Sequence, residues 1–306
     1  LIFTVDGGGE ELMPGKIQFC NFGVFFGEDN KVYKIDTFED KEPNKVINIG
    51  SFWSKCTKQI FGLSNGYPKG HQAGTVMGMA CLGEPKYYQE FLDYLQSGKE
   101  LHYKKFSNLA KTSEQDTFDV AASLQKATEI RFKELIEPYI KKYDYKSICI
   151  SGGVSLNCVM AGKIYDWFPE IENIYADPIP YDAGLTLGSA RYLWHHKLDN
   201  PRIKWSDNSS PYLGETYSKQ DVIDVLKTYN KVVSYRVVDD NFVIEELINK
   251  KIVSVFGGAS ESGRRALGNR SILADPRHKE TKDIVNERVK HRQWFRPFAP
   301  SILRED

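Results

Sequence analysis

The densest chemistry in this 306-residue chain lies in Ser260-Glu261-Ser262-Gly263-Arg264-Arg265-Ala266-Leu267-Gly268-Asn269-Arg270-Ser271. Three arginines, an amide and several hydroxyls are interleaved there with glycines. A guanidinium presents a planar fork that matches the oxygens of phosphate or carboxylate two at a time. Like charges crowded around bends repel unless an anion compensates them, so the segment reads as an anion site. The competing reading gives these arginines to Glu261 and Asp275 as ordinary ion pairs. Further on, Lys290 lies near the end of a helix expected from about Thr281, and Arg296 is boxed by Trp294, Phe295, Pro297 and Phe298. A cation among apolar residues needs a partner. Although the whole chain is formally neutral, residues 260–304 hold eleven Lys and Arg against five Asp and Glu. The positive charge is therefore local, which suits a focused small-anion site better than the broad basic stripe of a nucleic-acid binder.

Two weaker constellations lie upstream. Ser151-Gly152-Gly153-Val154-Ser155 stands where an expected strand turns into a helix, so backbone N–H groups can face a phosphate or ribose, with Asn157 one turn on; a tight turn without a ligand is an equal reading. Asp182-Ala183-Gly184 opens another helix, whose Gly184, Gly188 and Ala190 form a small-residue stripe suited to helix packing or to a nucleotide. Asp6 precedes Gly7-Gly8-Gly9. Asp6 and Asp182 are each either a cap or half of a metal–phosphate centre. Neither G-x-G-x-x-G nor G-x-x-x-x-G-K-[ST] occurs, which removes the Rossmann fingerprint and the Walker-A loop. His195 and His196 are adjacent on an expected helix and cannot share a face, and His71 is read as a surface residue.

The elements that must position these groups follow from periodicity. Leu1 to Val5, Ile17 to Phe26 and Lys31 to Ile35 read as a β-meander. Thr117 to Tyr143 is the clearest helix, with Ala121, Leu124, Thr128, Phe132, Leu135 and Tyr139 on one face. It feeds a strand at Ser147 to Ile150, a helix at Leu156 to Phe168 and a strand at Ile174 to Ala176, the alternation of a layered α/β enzyme. A loop is expected at Gly66 to Gly74 and a linker at 199–211. Beyond it come a helix (Lys219 to Asn230), a strand (Val232 to Val238), a helix (Phe242 to Lys250) and a strand (Ile252 to Phe256). With 27% charged and 13% aromatic residues, the composition is that of a folded globular protein, and no apolar run is long enough for a membrane span. Five widely spaced cysteines without a C-x-x-C pair read as buried thiols in a reducing, cytoplasmic compartment.

Three blocks together resemble the O-carbamoyltransferase family of the nodulation-factor and antibiotic-tailoring type. They are Ser151 through Cys158 with Asp182-Ala183-Gly184, Arg265 through Arg277, and Trp294-Phe295-Arg296-Pro297-Phe298-Ala299-Pro300. The resemblance extends from Val5-Asp6-Gly7 to Leu303 and implies an internal piece of a longer protein. It implies an α/β architecture in which residues 1–198 are one lobe of an actin-like (RNase H-like) ATPase fold and residues 212–306 are part of a threonylcarbamoyl-adenylate-synthase-like domain. The implied reaction has two steps: carbamoyl phosphate and ATP give a carbamoyl adenylate, then a hydroxyl of a small acceptor attacks the carbamoyl carbon. Arg265, Lys290 and Arg296 match the residues that hold carbamoyl phosphate, with Arg265, Asn269 and Arg270 expected at the reacting centre. Gly152, Gly153, Val154, Asn157 and Gly184 match nucleotide-binding positions. Asp6 and Asp182 match two aspartates of an iron-type metal site whose histidine pair lies upstream of the Val-Asp-Gly strand; magnesium would accompany ATP. A homodimer is among the expectations, and a membrane or nucleic-acid partner is not. Gly257 and Ala259 depart from the family's usual Gln and Arg, Arg264 replaces its Pro, and Thr75 its common Lys.

Two other classes fit parts of the chain. An actin-like sugar or polyol kinase would share the glycine turns but has no use for the arginine-rich segment. An RNA-binding module would use the basic residues of 260–304 and show affinity falling steeply with salt.

Overall fold

A computed structural model describes residues 1–13, 16–39, 45–63, 72–202, 211–303 and 305. His71, most of the expected loop at Gly66 to Gly74 and the centre of the expected linker lie outside the described residues. The chain forms two compact units, Leu1–Arg202 and Ile203–Asp306. Both are mixed α/β.

The first unit is built on a five-stranded sheet ordered β3-β2-β1-β4-β5. Strands β1 (Ile2–Met13), β2 (Lys16–Glu28) and β3 (Lys31–Phe38) form the antiparallel meander, and β4 (Ser147–Ser151) and β5 (Asn173–Ala176) add in parallel beside β1. Leu1, Phe3 and Val5 are buried while Ile2 and Thr4 are less so, the period-two pattern of a half-covered strand. The pairing of β1 with β2 shifts between Val5, opposite Phe22, and Gly9, opposite Cys20. Asp6, Gly7 and Gly8 thus face a single residue of β2. A bulge of this kind re-aims a side chain, here that of Asp6.

Helices α1 (Ile49–Gln59), α2 (Ala73–Ala80), α3 (Tyr88–Ser97) and α4 (Tyr103–Leu109) precede the 30-residue α5 (Glu114–Tyr143). At 1.5 Å per residue α5 is about 45 Å long. Ser113 caps it by accepting from Asp116 N, and its Ala121, Leu124, Thr128 and Phe132 are buried, as the period requires. Trp53 of α1 donates its indole N–H to Thr128 Oγ1 at 2.8 Å. Leu156 to Phe168 is not one helix. A 3₁₀ turn (Gly153–Leu156) is followed by α6 (Cys158–Gly162) and α7 (Ile164–Trp167), because Asn157 caps a fresh start by accepting from Met160 N. The turn Asp182–Gly184, α8 (Leu185–Arg191) and a π-helical stretch (Tyr192–Lys197) complete the unit.

The second unit contains α9 (Lys219–Thr228), α10 (Asp240–Ile248), the antiparallel pair β6 (Val253–Phe256) and β7 (Arg270–Leu273), and α11 (Thr281–Ile284) continuing as a π turn to Val289. Val232 to Val238 forms no strand, contrary to its composition; Val232 is 80% exposed, and β-branched residues make a strand only where a ladder partner is supplied. Conversely, Arg270 and Ser271, the end of the expected anion segment, open the strand Arg270–Leu273. The cysteines also differ from expectation, since only Cys56 is buried while Cys81 and Cys158 are exposed. No helix among the described residues is long and apolar enough to cross a membrane.

Candidate functional site

Each unit carries one of the constellations. In the first, β1 and β4 run side by side and deliver Asp6 and the glycine turn to the same place. Asp6 Oδ2 accepts from Gly153 N at 2.7 Å, and its Oδ1 accepts from Gly7 N. Gly152 has φ +92°, and a Cβ there would overlap the Val5 carbonyl, so only glycine permits this approach. Its N–H donates to Pro180 O at 2.7 Å. The glycine turn is thus closed on itself, with a carboxylate receiving the Gly153 N–H that an anion would otherwise accept. The carbonyl of Gly7 is held from the other side by Asn48 Nδ2 (2.9 Å) and Ser51 Oγ (2.8 Å) of the α1 start.

Asn157 does not face outward as a spare amide. Its Nδ2 donates to Gln125 Oε1 at 2.8 Å, and its Oδ1 accepts from Gln125 Nε2 (3.2 Å) as well as from Met160 N. Gln125 also donates to Glu129 Oε1 at 2.9 Å, and Glu129 Oε2 receives Lys163 Nζ at 2.7 Å. Sequence reading missed Gln125 and Glu129. Polar residues four apart among the buried positions of α5 were the signal that could have found them, because buried polar groups need partners.

Beyond the carboxyl ends of β4 and β5 lies an open cavity of about 430 Å³, lined by Ser151, Asp177, Tyr181, Gly184, Gly188 and Tyr192 among others. Crevices at this end of parallel strands are where α/β sheets hold ligands. A Cβ on Gly184 would run into the Ile179 carbonyl, so Gly184 is fixed by backbone packing. Asp182 heads the 3₁₀ turn and is exposed. Among the described residues no group of three or more His, Cys, Asp and Glu could hold a metal ion. With both Asp6 oxygens also engaged by N–H groups, the donor set present does not by itself make a metal centre.

In the second unit the organising group is one that sequence reading had only as a salt-bridge partner. Glu261 is buried and accepts from Leu267 N (2.6 Å) and Asn269 N (2.9 Å), while Arg270 Nε approaches at 3.2 Å. Burial pushes its carboxyl pKa up, but hydrogen bonds from its own N–H and those of Leu267, Asn269 and Arg270 outweigh burial and leave it below the ordinary value. Arg270 also donates to Gly263 O, and Asn269 Nδ2 donates to Ala259 O at 2.7 Å. Both side chains brace the loop. Asp275 is held at about 2, chiefly by the Arg277 guanidinium beside it. Ion pairing therefore accounts for Arg270 and Arg277.

Arg265 and Arg296 act on one another as like charges. Burial depresses the Arg296 pKa and Arg265 depresses it further. Arg292 is depressed by burial and then by Arg296. Asn286, 1% exposed and unremarked in the sequence, holds this loop: its Nδ2 donates to Trp294 O (3.1 Å) and Arg296 O (3.0 Å), and its Oδ1 accepts from Arg292 Nε at 2.7 Å. Lys290 is exposed at the end of the π turn.

Comparison with known proteins gives these two arrangements a common setting. The family described as Carbamoyltransferase N-terminus matches residues 24–191, more than half of the chain, and Carbamoyltransferase C-terminus matches residues 244–306. The chain belongs to the O-carbamoyltransferase family. An uncharacterized Synechocystis protein, sll1178, is 33% identical to this chain over 266 residues, 75% of the chain and 42% of the relative. Nodulation protein NolO of Bradyrhizobium diazoefficiens is 29% identical over 327 residues, 100% of the chain and 55% of the relative. The 3'-hydroxymethylcephem-O-carbamoyltransferase of Amycolatopsis lactamdurans is 25% identical over 267 residues, 84% and 49% respectively. The chain thus spans about half the length of the curated relatives it matches.

Proposed function

We propose that the protein containing this chain makes a carbamoyl adenylate from carbamoyl phosphate and ATP and passes the carbamoyl group to a hydroxyl of a small acceptor. The observation that carries this reading is the arginine-bearing loop closed by buried Glu261, which leaves Arg265 exposed. Half-buried Arg296, in the segment that Asn286 ties down, is near enough for the Arg265 charge to lower its pKa after burial has done so. A phosphate dianion between them would turn mutual repulsion into two attractions. In the reading adopted, Arg265, Arg296 and Lys290 hold carbamoyl phosphate and neutralise phosphate as it leaves, and Asn269 and Arg270 keep that loop in shape.

The overall balance consumes one water: carbamoyl phosphate, ATP and water give carbamoyl adenylate, pyrophosphate and phosphate. The acceptor oxygen then bonds to the carbamoyl carbon, AMP leaves, and the hydroxyl proton is released. The cavity at the ends of β4 and β5, lined by Ser151 and Gly184, is the candidate nucleotide site, with Gly152, Gly153 and Val154 following Ser151 in the chain. The meander with two parallel strands on β1 supports an actin-like lobe, and the second unit is read as part of an adenylate-synthase-like domain. ATP with magnesium is the proposed cosubstrate; an iron-type site would take Asp6 and Asp182 from this chain. A reducing cytoplasm remains the proposed compartment and a homodimer the proposed assembly.

The test supplies the protein with carbamoyl phosphate, ATP and hydroxyl-bearing acceptors and follows the nucleotide. AMP and pyrophosphate, formed only with carbamoyl phosphate present, are the expected products. ADP as the sole nucleotide product overturns the reading in favour of a kinase.

A further inference from the structure

We infer that Gln125 is a positioning residue for the nucleotide turn, acting through Asn157, and that Asn157 serves this turn from behind without contacting the ligand. The inference rests on the nucleotide reading of the Gly152–Asn157 segment.

Every hydrogen-bonding atom of the Asn157 amide has a partner within the protein, and Gln125 supplies the reciprocal pair at 2.8 and 3.2 Å. Gln125 is 5% exposed, so its amide has no access to bulk water as an alternative partner. Its orientation is set in turn: Nε2 donates to Glu129 Oε1, and Glu129, 3% exposed, is pinned by Lys163 Nζ. The order of control runs from Lys163 and Glu129 to Gln125, then to Asn157, then to the start of α6. Asn157 closes the 3₁₀ turn by donating its backbone N–H to Val154 O. That turn hangs from Gly152 and Gly153, whose N–H groups are tied to Pro180 and Asp6. α5 is 30 residues long and packed along much of its length, so a side chain on it offers a fixed reference for a loop that must meet phosphate within tenths of an ångström. Shells of this kind, one layer behind the ligand, hold ligating groups in place. The reciprocal amide pair also sets the Asn157 flip, leaving Oδ1 toward Met160 N as the cap requires.

The test uses the full chain and three proteins: wild type, Gln125→Leu and Asn157→Asp. Asn157→Asp keeps the capping oxygen but loses the donor to Gln125. Two measurements are made on each, amide hydrogen exchange by mass spectrometry and titration with ATP. Exchange across residues 152–160 should quicken by about tenfold in both variants while peptides from β1 and α3 keep wild-type rates, since local opening reports local stability. ATP affinity should fall by about tenfold in both, equivalent to about 1.4 kcal/mol. If Asn157→Asp matches wild type in exchange and affinity, the residue is only a helix cap and the inference fails. If exchange quickens in both variants but ATP affinity stays at the wild-type value, the network is structural and the inference also fails. A wild-type chain without affinity for ATP overturns the nucleotide reading itself, and this assignment with it.

Discussion

Glu261 and Arg270 meet at the start of β7, where the buried carboxylate receives Arg270 Nε at 3.2 Å together with the N–H groups of Leu267 and Asn269. The loop between them, which carries Arg264 and Arg265, is thereby closed around an internal anion. Removing the charge should loosen it. Glu261→Gln keeps the shape but puts an amide N–H₂ where acceptors are required, and the expected loss is about 2 kcal/mol of second-unit stability, read from urea unfolding with a probe near Trp294.

The same carboxylate sets a pH dependence. Its folded pKa is below the ordinary value, so the unfolded state binds its proton first on acidification. The stabilisation is complete above the unfolded value of about 4.3 and is lost as pH falls through the lower folded value. Stability measured against pH in that acid window should fall in the wild type and fall less in Glu261→Gln. Parallel curves would remove Glu261 as the cause.

Asn286 stands behind Arg296 through three side-chain hydrogen bonds. Asn286→Ala leaves two carbonyls and a guanidinium to find other partners, and about 1–3 kcal/mol of stability should be lost. Carbamoyl-phosphate affinity by calorimetry should drop by about tenfold, because the arginine remains but its position is no longer fixed.

Arg265→Ala and Arg296→Ala test the anion site directly. Each should weaken carbamoyl phosphate by at least about tenfold, and the double variant should lose less than the sum, as expected of two groups sharing one ligand. Full affinity in Arg296→Ala would mean the pocket survives only as a scaffold.

Gly152 combines a positive φ with a blocked Cβ position. Gly152→Ala places a Cβ against the Val5 carbonyl at φ +92°, strain of about 1–3 kcal/mol before the clash is counted. Thermal unfolding should show a large loss or no folded protein, whereas Gly162→Ala, with open space around it, should be tolerated.

Alternating burial at Leu1, Phe3 and Val5 marks a strand, the three- and four-residue steps from Ala121 to Phe132 mark α5, and the block from Arg265 carries a family resemblance, because each is written in neighbouring residues. Errors arose where a local preference met no partner or an unexpected one. Val232 to Val238 has β-branched composition but no ladder, and the end of the anion segment, Arg270 and Ser271, pairs with β6. Which carboxylate each arginine answers to was not decidable from spacing: Arg270 goes to Glu261 and Arg277 to Asp275, while Asn286 ties down the turn that carries Arg296. Asp6 meets Gly153 across 147 positions and Gln125 meets Asn157 across 32. Periodic burial is a property of a short stretch of chain, whereas pairing depends on where packing brings distant stretches together, and only the folded chain decides that.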